Sequence, residues 1–450
     1  MNKKKGFFIE TFGCQMNDLD SRKISGLLVD QGMTPAVSMD EADIILLNTC
    51  AIRDKAIQKV YSRLGELKKR KAKNTGLFVG VIGCGAQLEG ADFANKTGVV
   101  DLITGPQKIS HIPRMLDRVL TERVPLIDIE DEPSPQPAEV ENILRDSSFR
   151  AGVTIMEGCD QSCSFCIVPF TRGRAKHRAG ERILAEVKKL AESGYIEILL
   201  LGQNVNSYQD PSPAGLSFAQ LLRAVGEVPG IRRVRFTSPH PMYFTHDIID
   251  AINQRPTLCN HVHLPLQSGS SAVLERMNRE YTREIYLEKA IALRASPRRI
   301  ALSTDIIVGF PGETEKDFAE TLAMMDEIRF DSIFSFKYSA RPRTAAAEFA
   351  DTVDEAEKAR RLRVLQEKQE LLQEANHALY VGQVVEVLVE SPARTRFALS
   401  GRTTDNRIVN FDGPNYLIGS LVSVKITQAR ANSLQGELVA ASELELAAGS

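Results

Sequence analysis

The sequence lacks the features that tie a protein to a membrane or to a highly charged partner. None of its apolar runs approaches the roughly 18 residues that a membrane-spanning helix needs. The N-terminal segment MNKKKGFFIE has neither the long apolar stretch nor the small-residue cleavage site of a secretory signal. The formal net charge of the 450 residues is −2, so overall charge argues for no particular partner. We therefore expect a cytoplasmic protein with no membrane association.

Cysteine is scarce as well, with seven in the chain, but the seven are not scattered at random. One set forms a CxxxCxxC motif and comprises Cys159, Cys163 and Cys166. A second set stands at nearly even intervals near the N-terminus and comprises Cys14, Cys50 and Cys84. In a reducing compartment such sets more often bind metal or catalyse than form disulfides. The pattern predicts two metal clusters, each with one coordination position not filled by cysteine, and leaves Cys259 as a buried free thiol.

Residues 1–125 alternate short apolar strands with helical patterns, which predicts a parallel sheet flanked by helices. Each cysteine of the second set lies at or just past the end of one predicted strand, in FFIETFGC, ADIILLNTC and LFVGVIGC. Ligand sites in such sheets lie beyond the carboxyl ends of the strands. The three thiols are therefore expected to converge on one edge. A polar, proline-rich stretch predicts a linker over residues 126–144.

Residues 145–378 contain six further strand candidates separated by helical patterns. They predict a partial (βα)6 barrel, because a complete eight-unit barrel needs about 250 residues. Residues 379–443 switch to short alternating strands with glycine and asparagine turns, typical of a small antiparallel β-barrel. The predicted fold class is thus α/β, with a third domain that is all β.

The CxxxCxxC motif directly follows a predicted barrel strand, so its loop lies at the carboxyl end of the barrel, where active sites are found. Three thiolates within eight residues can hold one corner of an iron–sulfur cluster. On the motif alone, a zinc loop with His177 as the nearest fourth ligand, and a chance arrangement, remain open.

With Phe165 just before its last cysteine, this motif resembles the radical S-adenosylmethionine superfamily. The resemblance implies a [4Fe-4S] cluster on Cys159, Cys163 and Cys166, whose unique iron binds S-adenosylmethionine. Reductive cleavage of that cofactor then yields a 5′-deoxyadenosyl radical. The residues that match the cofactor-binding positions at later strand ends are Gln203, Asn204, Gln267 and Gly309.

The segments TFGCQMND, LLNTCAIRDKA and GVIGCGAQ resemble the N-terminal domain of methylthiotransferases. This implies a second, auxiliary [4Fe-4S] cluster on Cys14, Cys50 and Cys84, which presents sulfur. Within the family, GCQMN and RTTDNRIVNF resemble the tRNA isopentenyladenosine branch (MiaB type).

The C-terminal segment resembles the TRAM domain, an RNA-binding module. Its stretch RTRFALSGRTTDNRIVNF interleaves arginines with aromatics, a pattern that fits RNA backbone contact and base stacking. The side chains concerned are Arg394, Arg396, Arg402, Arg407, Phe397 and Phe411. A barrel that only closes the fold is the competing interpretation on composition alone.

The resemblance implies an enzyme that inserts a methylthio group at carbon 2 of isopentenyladenosine, next to the anticodon of a tRNA. The implied partners are a tRNA anticodon stem-loop, an electron donor of flavodoxin or ferredoxin type, and a sulfur donor or cluster-carrier protein; the protein itself is expected to be a monomer. The alternatives are a methylthiotransferase for threonylcarbamoyl-adenosine tRNA or for a ribosomal protein aspartate, and a non-catalytic iron–sulfur RNA-binding or electron-transfer protein.

Four residues beside the CxxxCxxC loop depart from the family pattern. Glu157 stands where arginine is common. Ala175, His177 and Ala179 replace the usual glutamate, serine and proline of RGRExSRP. No role is assigned to these side chains from the sequence.

Overall fold

The computed structural model describes residues 4–52, 54–130, 136–137, 139–213 and 215–439. Part of the predicted linker 126–144 and the end of the last predicted domain, residues 440–443, lie outside these ranges. No helix within the described part of the chain is both long enough and apolar enough to cross a membrane.

The N-terminal part forms a six-stranded sheet in the order β2-β1-β3-β4-β5-β6, and all its pairings are parallel. Its strands are β1 Gly6–Phe12, β2 Thr34–Pro35, β3 Ile44–Thr49, β4 Phe78–Ile82, β5 Leu102–Thr104 and β6 Leu126–Asp128. Its helices are α1 Gln15–Asp30, α2 Asp54–Lys73, α3 Cys84–Glu89, α4 Asp92–Thr97 and α5 Ile112–Glu122. The predicted parallel α/β arrangement is confirmed.

The central strand β3 explains why this sheet is covered on both faces. Its residues 44–47 are all fully buried. Because successive side chains point to opposite faces, Ile45 and Leu47 pack with the apolar side of α2. Ile44 and Leu46 pack instead with α1 and α5. A continuous apolar run of this kind is typical of a buried parallel strand.

Strand β6 begins at Leu126, inside the stretch that the sequence indicates as linker. It pairs in parallel with β5, so the sheet extends three residues beyond the predicted end of the domain at residue 125. Three residues are too few to show an alternating pattern in the sequence, and only the pairing with β5 reveals the strand.

The central part forms six parallel βα units, as predicted, arranged in two three-stranded sheets, β11-β10-β7 and β12-β13-β14. Its strands are β7 Arg150–Thr154, β8 Met156–Glu157, β9 Lys176–His177, β10 Glu197–Leu201, β11 Arg233–Phe236, β12 His261–His263, β13 Ala301–Val308 and β14 Ser332–Lys337. Its helices are α6 Val168–Arg172, α7 Gly180–Glu192, α8 Phe218–Gly226, α9 His246–Gln254, α10 Ser271–Arg276, α11 Arg283–Arg294 and α12 Glu315–Ile328. An isolated parallel bridge between Val234 and Leu258 lies between the two sheets.

Helix α13 Glu355–Ala378 leads into a closed barrel in the order β15-β16-β17-β19-β18. Its strands are β15 Val384–Pro392, β16 Leu399–Thr403, β17 Ile408–Phe411, β18 Leu421–Ala429 and β19 Leu434–Leu438. A closed ring of five strands cannot alternate direction throughout. One pair, β17 with β19, is therefore parallel, and the other four pairings are antiparallel as predicted.

The C-terminal barrel is held to the central barrel by arginines of β11. Arg233, which is 1% exposed, donates to the carbonyl oxygen of Arg402 at 2.7 Å. Arg235 donates to the carbonyl oxygen of Thr403, also at 2.7 Å. Burying two guanidinium groups against backbone carbonyls fixes the small barrel near the amino ends of the central strands.

Candidate active site built on two cysteine sets

The CxxxCxxC loop runs from β8 to α6 and is tied at its base. Strands β8 and β9 pair antiparallel, and the Cys159 amide donates to the carbonyl oxygen of Gly173 at 3.1 Å. Gly158 has a φ of 79°, and a Cβ there would lie 2.0 Å from the Arg174 carbonyl oxygen. Only glycine fits this close approach. The loop is thus held as a closed turn at the carboxyl end of β7.

The three sulfurs of this loop lie close enough to interact electrostatically and have nitrogen donors beside them. The Gln161 amide donates to Cys159 Sγ at 3.4 Å, and Arg279 Nη1 donates to Cys163 Sγ at 3.1 Å. Burial raises the pKa of the Cys159 thiol and raises that of Cys166 to about 12. A metal that binds these thiols must therefore displace their protons.

The second set occupies the carboxyl ends of three adjacent parallel strands, β1, β3 and β4. A hydrogen bond with Cys50 and amides at the start of α1 lower the pKa of the Cys14 thiol to about 6. The same pairing and burial raise the pKa of Cys50, and burial raises that of Cys84. The predicted convergence of Cys14, Cys50 and Cys84 on one sheet edge is observed.

Two asparagines that the sequence analysis did not single out position this edge. Asn17 Nδ2 donates to Asn48 Oδ1 at 3.0 Å, and Asn48 Nδ2 donates to the Asn17 carbonyl oxygen at 2.9 Å. A Cβ at Gly83, whose φ is 89°, would lie 2.2 Å from Asn48 Oδ1. The buried asparagine pair therefore joins the segments that carry Cys14 and Cys50, and Gly83 lets Cys84 follow close beside them.

Arg172 connects the two cysteine sets. It lies in α6, directly after the CxxxCxxC loop, but its Nε donates to Cys84 Sγ at 3.2 Å. Its Nη2 donates to Asp20 Oδ2 at 2.6 Å, and the two side chains are 5% and 1% exposed. Arg172 thus pairs with a buried carboxylate of α1.

Neither set forms a closed coordination shell in the structure. Within the described ranges no three His, Cys, Asp or Glu side chains are arranged to hold a metal ion. The thiols of each set lie near enough to interact electrostatically. The chemistry of the two donor sets, thiolates without carboxylates, fits iron–sulfur ligation.

The residues predicted to bind S-adenosylmethionine lie where expected, at strand ends, but the structure gives some of them other contacts. Gln203 Oε1 accepts from the Gly158 amide at 2.6 Å, so it braces the cysteine loop. Gln267 has a φ of 69° and bridges β13 through its backbone. A Cβ at Gly309 would lie 2.3 Å from Lys358 Cγ, so this glycine is also needed for packing against α13. Their cofactor role stays a prediction.

Within the part of the chain that the structure describes, three buried polar atoms at neighbouring strand ends have no hydrogen-bond partner: Thr154 Oγ1 at β7, Asn204 Oδ1 after β10 and His240 Nε2 after β11. His240 Nδ1 accepts from the Met242 amide, so its Nε2 carries the proton. Burial lowers the pKa of His240 to about 3 and keeps the ring neutral. Buried polar atoms normally have partners. Their clustering at the carboxyl edge of one sheet fits a bound polar molecule such as S-adenosylmethionine.

The four residues that depart from the family pattern have local contacts. Glu157 pairs with Lys23 of α1 at 3.3 Å. The Ala175 amide donates to Asp160, and the His177 ring lies edge-on to Tyr208. Ala179 precedes α7 with extended backbone. Glu157 thus adds an ion pair between the central barrel and α1.

Only some of the arginine and aromatic side chains that the sequence groups in the C-terminal barrel are exposed at its surface. Phe411 is fully buried in the barrel core. Arg407, 5% exposed, pairs with Asp405 and with Asp331 of the central barrel, so its interpretation as an RNA contact is wrong. Arg394 and Arg396 are exposed, and the Arg396 guanidinium lies 5.0 Å from the centre of the Phe397 ring. This loop is the part of the pattern that is free to meet RNA.

Three family descriptions match successive parts of the chain. Residues 6–105 match "Uncharacterized protein family UPF0004", residues 153–325 match "Radical SAM superfamily", and residues 378–439 match "TRAM domain". Among solved structures, the radical S-adenosylmethionine methyltransferase TsrM from Kitasatospora setae aligns with a TM-score of 0.56 at 15% identity. The alignment covers 76% of this chain and 75% of that one, and it concerns the fold alone.

Curated relatives match over nearly the whole chain. The tRNA-2-methylthio-N(6)-dimethylallyladenosine synthase of Koribacter versatilis (strain Ellin345) is 47% identical over 439 residues, which cover 97% of this chain and 98% of that protein. The protein of the same name from Solibacter usitatus (strain Ellin6076) is 46% identical over 442 residues, with 97% and 98% covered. Since identity of this level extends through all three matched regions, the chain belongs to the tRNA-2-methylthio-N(6)-dimethylallyladenosine synthase family.

Proposed function

We propose that this protein is a radical S-adenosylmethionine methylthiotransferase that replaces the hydrogen on carbon 2 of isopentenyladenosine in tRNA by a methylthio group. The observation that carries the proposal is the packing of the second thiol set against the segment that follows Cys166: Cys84 packs with Ile167 and accepts from Arg172. One set serves radical formation and the other serves sulfur delivery. Substitution at an unreactive C–H position requires both radical formation and sulfur delivery, because acid–base chemistry does not activate such a bond.

Cys159, Cys163 and Cys166 are proposed to hold one [4Fe-4S] cluster, and Cys14, Cys50 and Cys84 the other. Each set has three soft thiol donors, and a four-iron cluster held by three leaves one iron open. When bound, the first cluster would supply the electron for cleavage of one S-adenosylmethionine, and the second would supply the sulfur, which a further S-adenosylmethionine would methylate.

The remaining side chains of the site are proposed to bind the cofactor and to stabilise the charge of the cluster. Asn204 Oδ1 and His240 Nε2 lie at the carboxyl ends of β10 and β11 and have no hydrogen-bond partner among the described residues. A polar cofactor bound there would form hydrogen bonds with both atoms. Arg279 donates to Cys163 and keeps positive charge beside the first set. Such donors stabilise the negative charge of a thiolate-ligated cluster.

The tRNA is proposed to present its target base from the anticodon stem-loop, since splayed single-stranded loops are the usual targets of sequence-specific RNA recognition. An electron donor of flavodoxin or ferredoxin type and a sulfur donor or cluster carrier complete the proposed partners. We propose a cytoplasmic monomer with the three predicted domains, residues 1–125, 145–378 and 379–443, in which β6 extends the first domain to Asp128 and shortens the linker to residues 129–144.

Methylthio insertion is tested by supplying the cluster-reconstituted, reduced protein with three substrates in parallel. These are tRNA with isopentenyladenosine, tRNA with threonylcarbamoyl-adenosine, and a ribosomal protein with the target aspartate. Mass spectrometry is expected to find the methylthio product only on the first. Product only on another substrate contradicts the proposed substrate. Intact clusters that release no 5′-deoxyadenosine from S-adenosylmethionine contradict an enzyme of this class altogether.

Iron content is the simplest measurement on the two thiol sets. The reconstituted wild-type protein is expected to hold about eight iron atoms, four for each cluster. The triple variant with alanine at Cys159, Cys163 and Cys166 is expected to hold about four iron atoms. The other set is expected to keep its cluster, because it lies at the edge of a different sheet. A wild-type protein with about four iron atoms contradicts the two-cluster assignment.

A further inference from the structure

One short segment contacts residues that follow each of the two cysteine sets. Arg341, Pro342 and Arg343 follow β14, at the carboxyl edge of the central barrel. Arg341 Nη2 donates to the Ile52 carbonyl oxygen at 2.6 Å. Ile52 lies two residues after Cys50, and Arg341 is near enough to the Cys50 thiol to interact with it electrostatically.

The other end of the segment reaches α6, the helix that follows the CxxxCxxC loop. The Arg343 guanidinium lies 5.1 Å from the centre of the Phe170 ring, in a cation–π contact. Phe170 belongs to α6, which begins two residues after Cys166. The three residues 341–343 therefore connect the segment that follows Cys50 with the helix that follows the CxxxCxxC loop.

Arg343 adopts a backbone conformation that is energetically unfavourable for arginine. Its φ of 69° lies in the left-handed region that glycine enters without penalty. Its side chain is exposed, so burial does not compensate for this cost. Residues kept in such conformations against their preference cluster at functional sites. Arg343 thus presents an exposed charge from a backbone conformation that is unfavourable for arginine.

Aromatic surface lies next to this charge. Phe334 and Phe336, on the strand that leads into the segment, are 53% and 40% exposed, and Phe170 is 37% exposed. Phe336 pairs with Ile307, which packs in one cluster with Phe165 of the cysteine loop. Exposed guanidinium groups interleaved with exposed aromatic rings are typical of surfaces that follow a nucleic-acid backbone and stack its bases.

We infer that Arg341–Pro342–Arg343, which contacts the chain beside both cysteine sets, is an RNA contact, and that Arg343 binds a backbone phosphate of the substrate loop. The inference rests on the proposed function, because it takes the substrate to be RNA. A guanidinium group presents planar paired donors that match phosphate oxygens. Arg341 holds the segment to Ile52, and Arg343 provides the exposed charge.

The test is Arg343→Gly, which removes the charge and also relieves the backbone conformation. Binding of a synthetic anticodon stem-loop that carries isopentenyladenosine is measured by fluorescence anisotropy over a series of salt concentrations. We expect about 3- to 10-fold weaker binding, and a plot of log affinity against log salt concentration whose slope is smaller by about 1. Release of 5′-deoxyadenosine from S-adenosylmethionine without RNA is expected to stay unchanged.

Arg123→Gly is the matched control. Arg123 is also an exposed arginine with positive φ, 57°, but it follows α5 and precedes β6, at the sheet edge opposite the cysteines. The substitution removes the same charge at a residue of similar backbone conformation. The variant protein is expected to bind the stem-loop as tightly as the wild type does.

Wild-type affinity and slope for Arg343→Gly overturn the inference, as does equal weakening by both variants. These outcomes differ from a failure of the proposed function, which shows in the wild type itself. Wild-type protein that binds the stem-loop but inserts no sulfur contradicts the proposed function alone, and wild-type protein without affinity for the stem-loop overturns both.

Discussion

Cys159→Ala is expected to abolish release of 5′-deoxyadenosine, by at least about 1,000-fold, whereas Cys50→Ala is expected to spare it and to abolish only sulfur insertion. The reason is the separation of the two sets: Cys159 lies in the loop between β8 and α6, and Cys50 follows β3 of another sheet. Loss of one of three thiolates removes a ligand that no neighbouring cysteine can replace. Quantification of 5′-deoxyadenosine and of the methylthio nucleoside in the same reaction distinguishes the two losses.

Cys259→Ala is the control for this experiment. Cys259 is 3% exposed and belongs to neither set. It is expected to keep full iron content, both activities and both cluster signals. If Cys50→Ala still inserts sulfur, the division of labour between the two sets is wrong; if Cys259→Ala loses iron, the assignment of ligands is wrong.

Arg172→Ala is expected to destabilise the protein without cofactors by about 3–5 kcal/mol, because it leaves the Asp20 carboxylate buried without its partner. Burial already raises the pKa of Asp20, and the Arg172 guanidinium opposes that rise. The change also removes the donor to Cys84 and loosens the junction between α6 and α3. The free energy is measured by urea unfolding, with a probe in each domain.

Arg174→Ala provides a control two residues away. Its side chain is 92% exposed and lies 4.0 Å from Asp160, so its loss is expected to cost no more than about 0.5 kcal/mol. The double change of Arg172 and Asp20 to leucine is expected to recover most of the stability, since an apolar pair replaces an ion pair at little cost. Similar losses for Arg172→Ala and Arg174→Ala contradict a buried bridge.

Several features could be predicted from the sequence because they depend on neighbours along the chain. CxxxCxxC places three thiols in one loop whatever surrounds it. The positions of Cys14, Cys50 and Cys84 at strand ends follow from apolar runs of fixed length, and parallel strands necessarily bring those ends to one edge. The six central strands and the small C-terminal barrel follow from the same reading of apolar runs and turns.

Features that depend on contacts between distant segments could not be predicted in this way. Arg407 and Phe411 lie in a pattern that fits an RNA surface. In the structure, however, Phe411 packs in the core of the barrel and Arg407 pairs with Asp331. Gln203 matches a cofactor position, yet its side chain holds Gly158. Side-chain direction on a closed barrel depends on which strands pair, and residue type alone does not reveal it.

The sequence by itself determined which thiols belong together, because the spacing along a loop or along successive βα units is a local property of the chain. Only the tertiary structure decided how the two sets face each other. Arg172 reaches Asp20 and Cys84, and Arg341 reaches Ile52, across 152, 88 and 289 residues of sequence. Such contacts arise when separately folded sheets pack, and their partners are selected by the geometry of that packing.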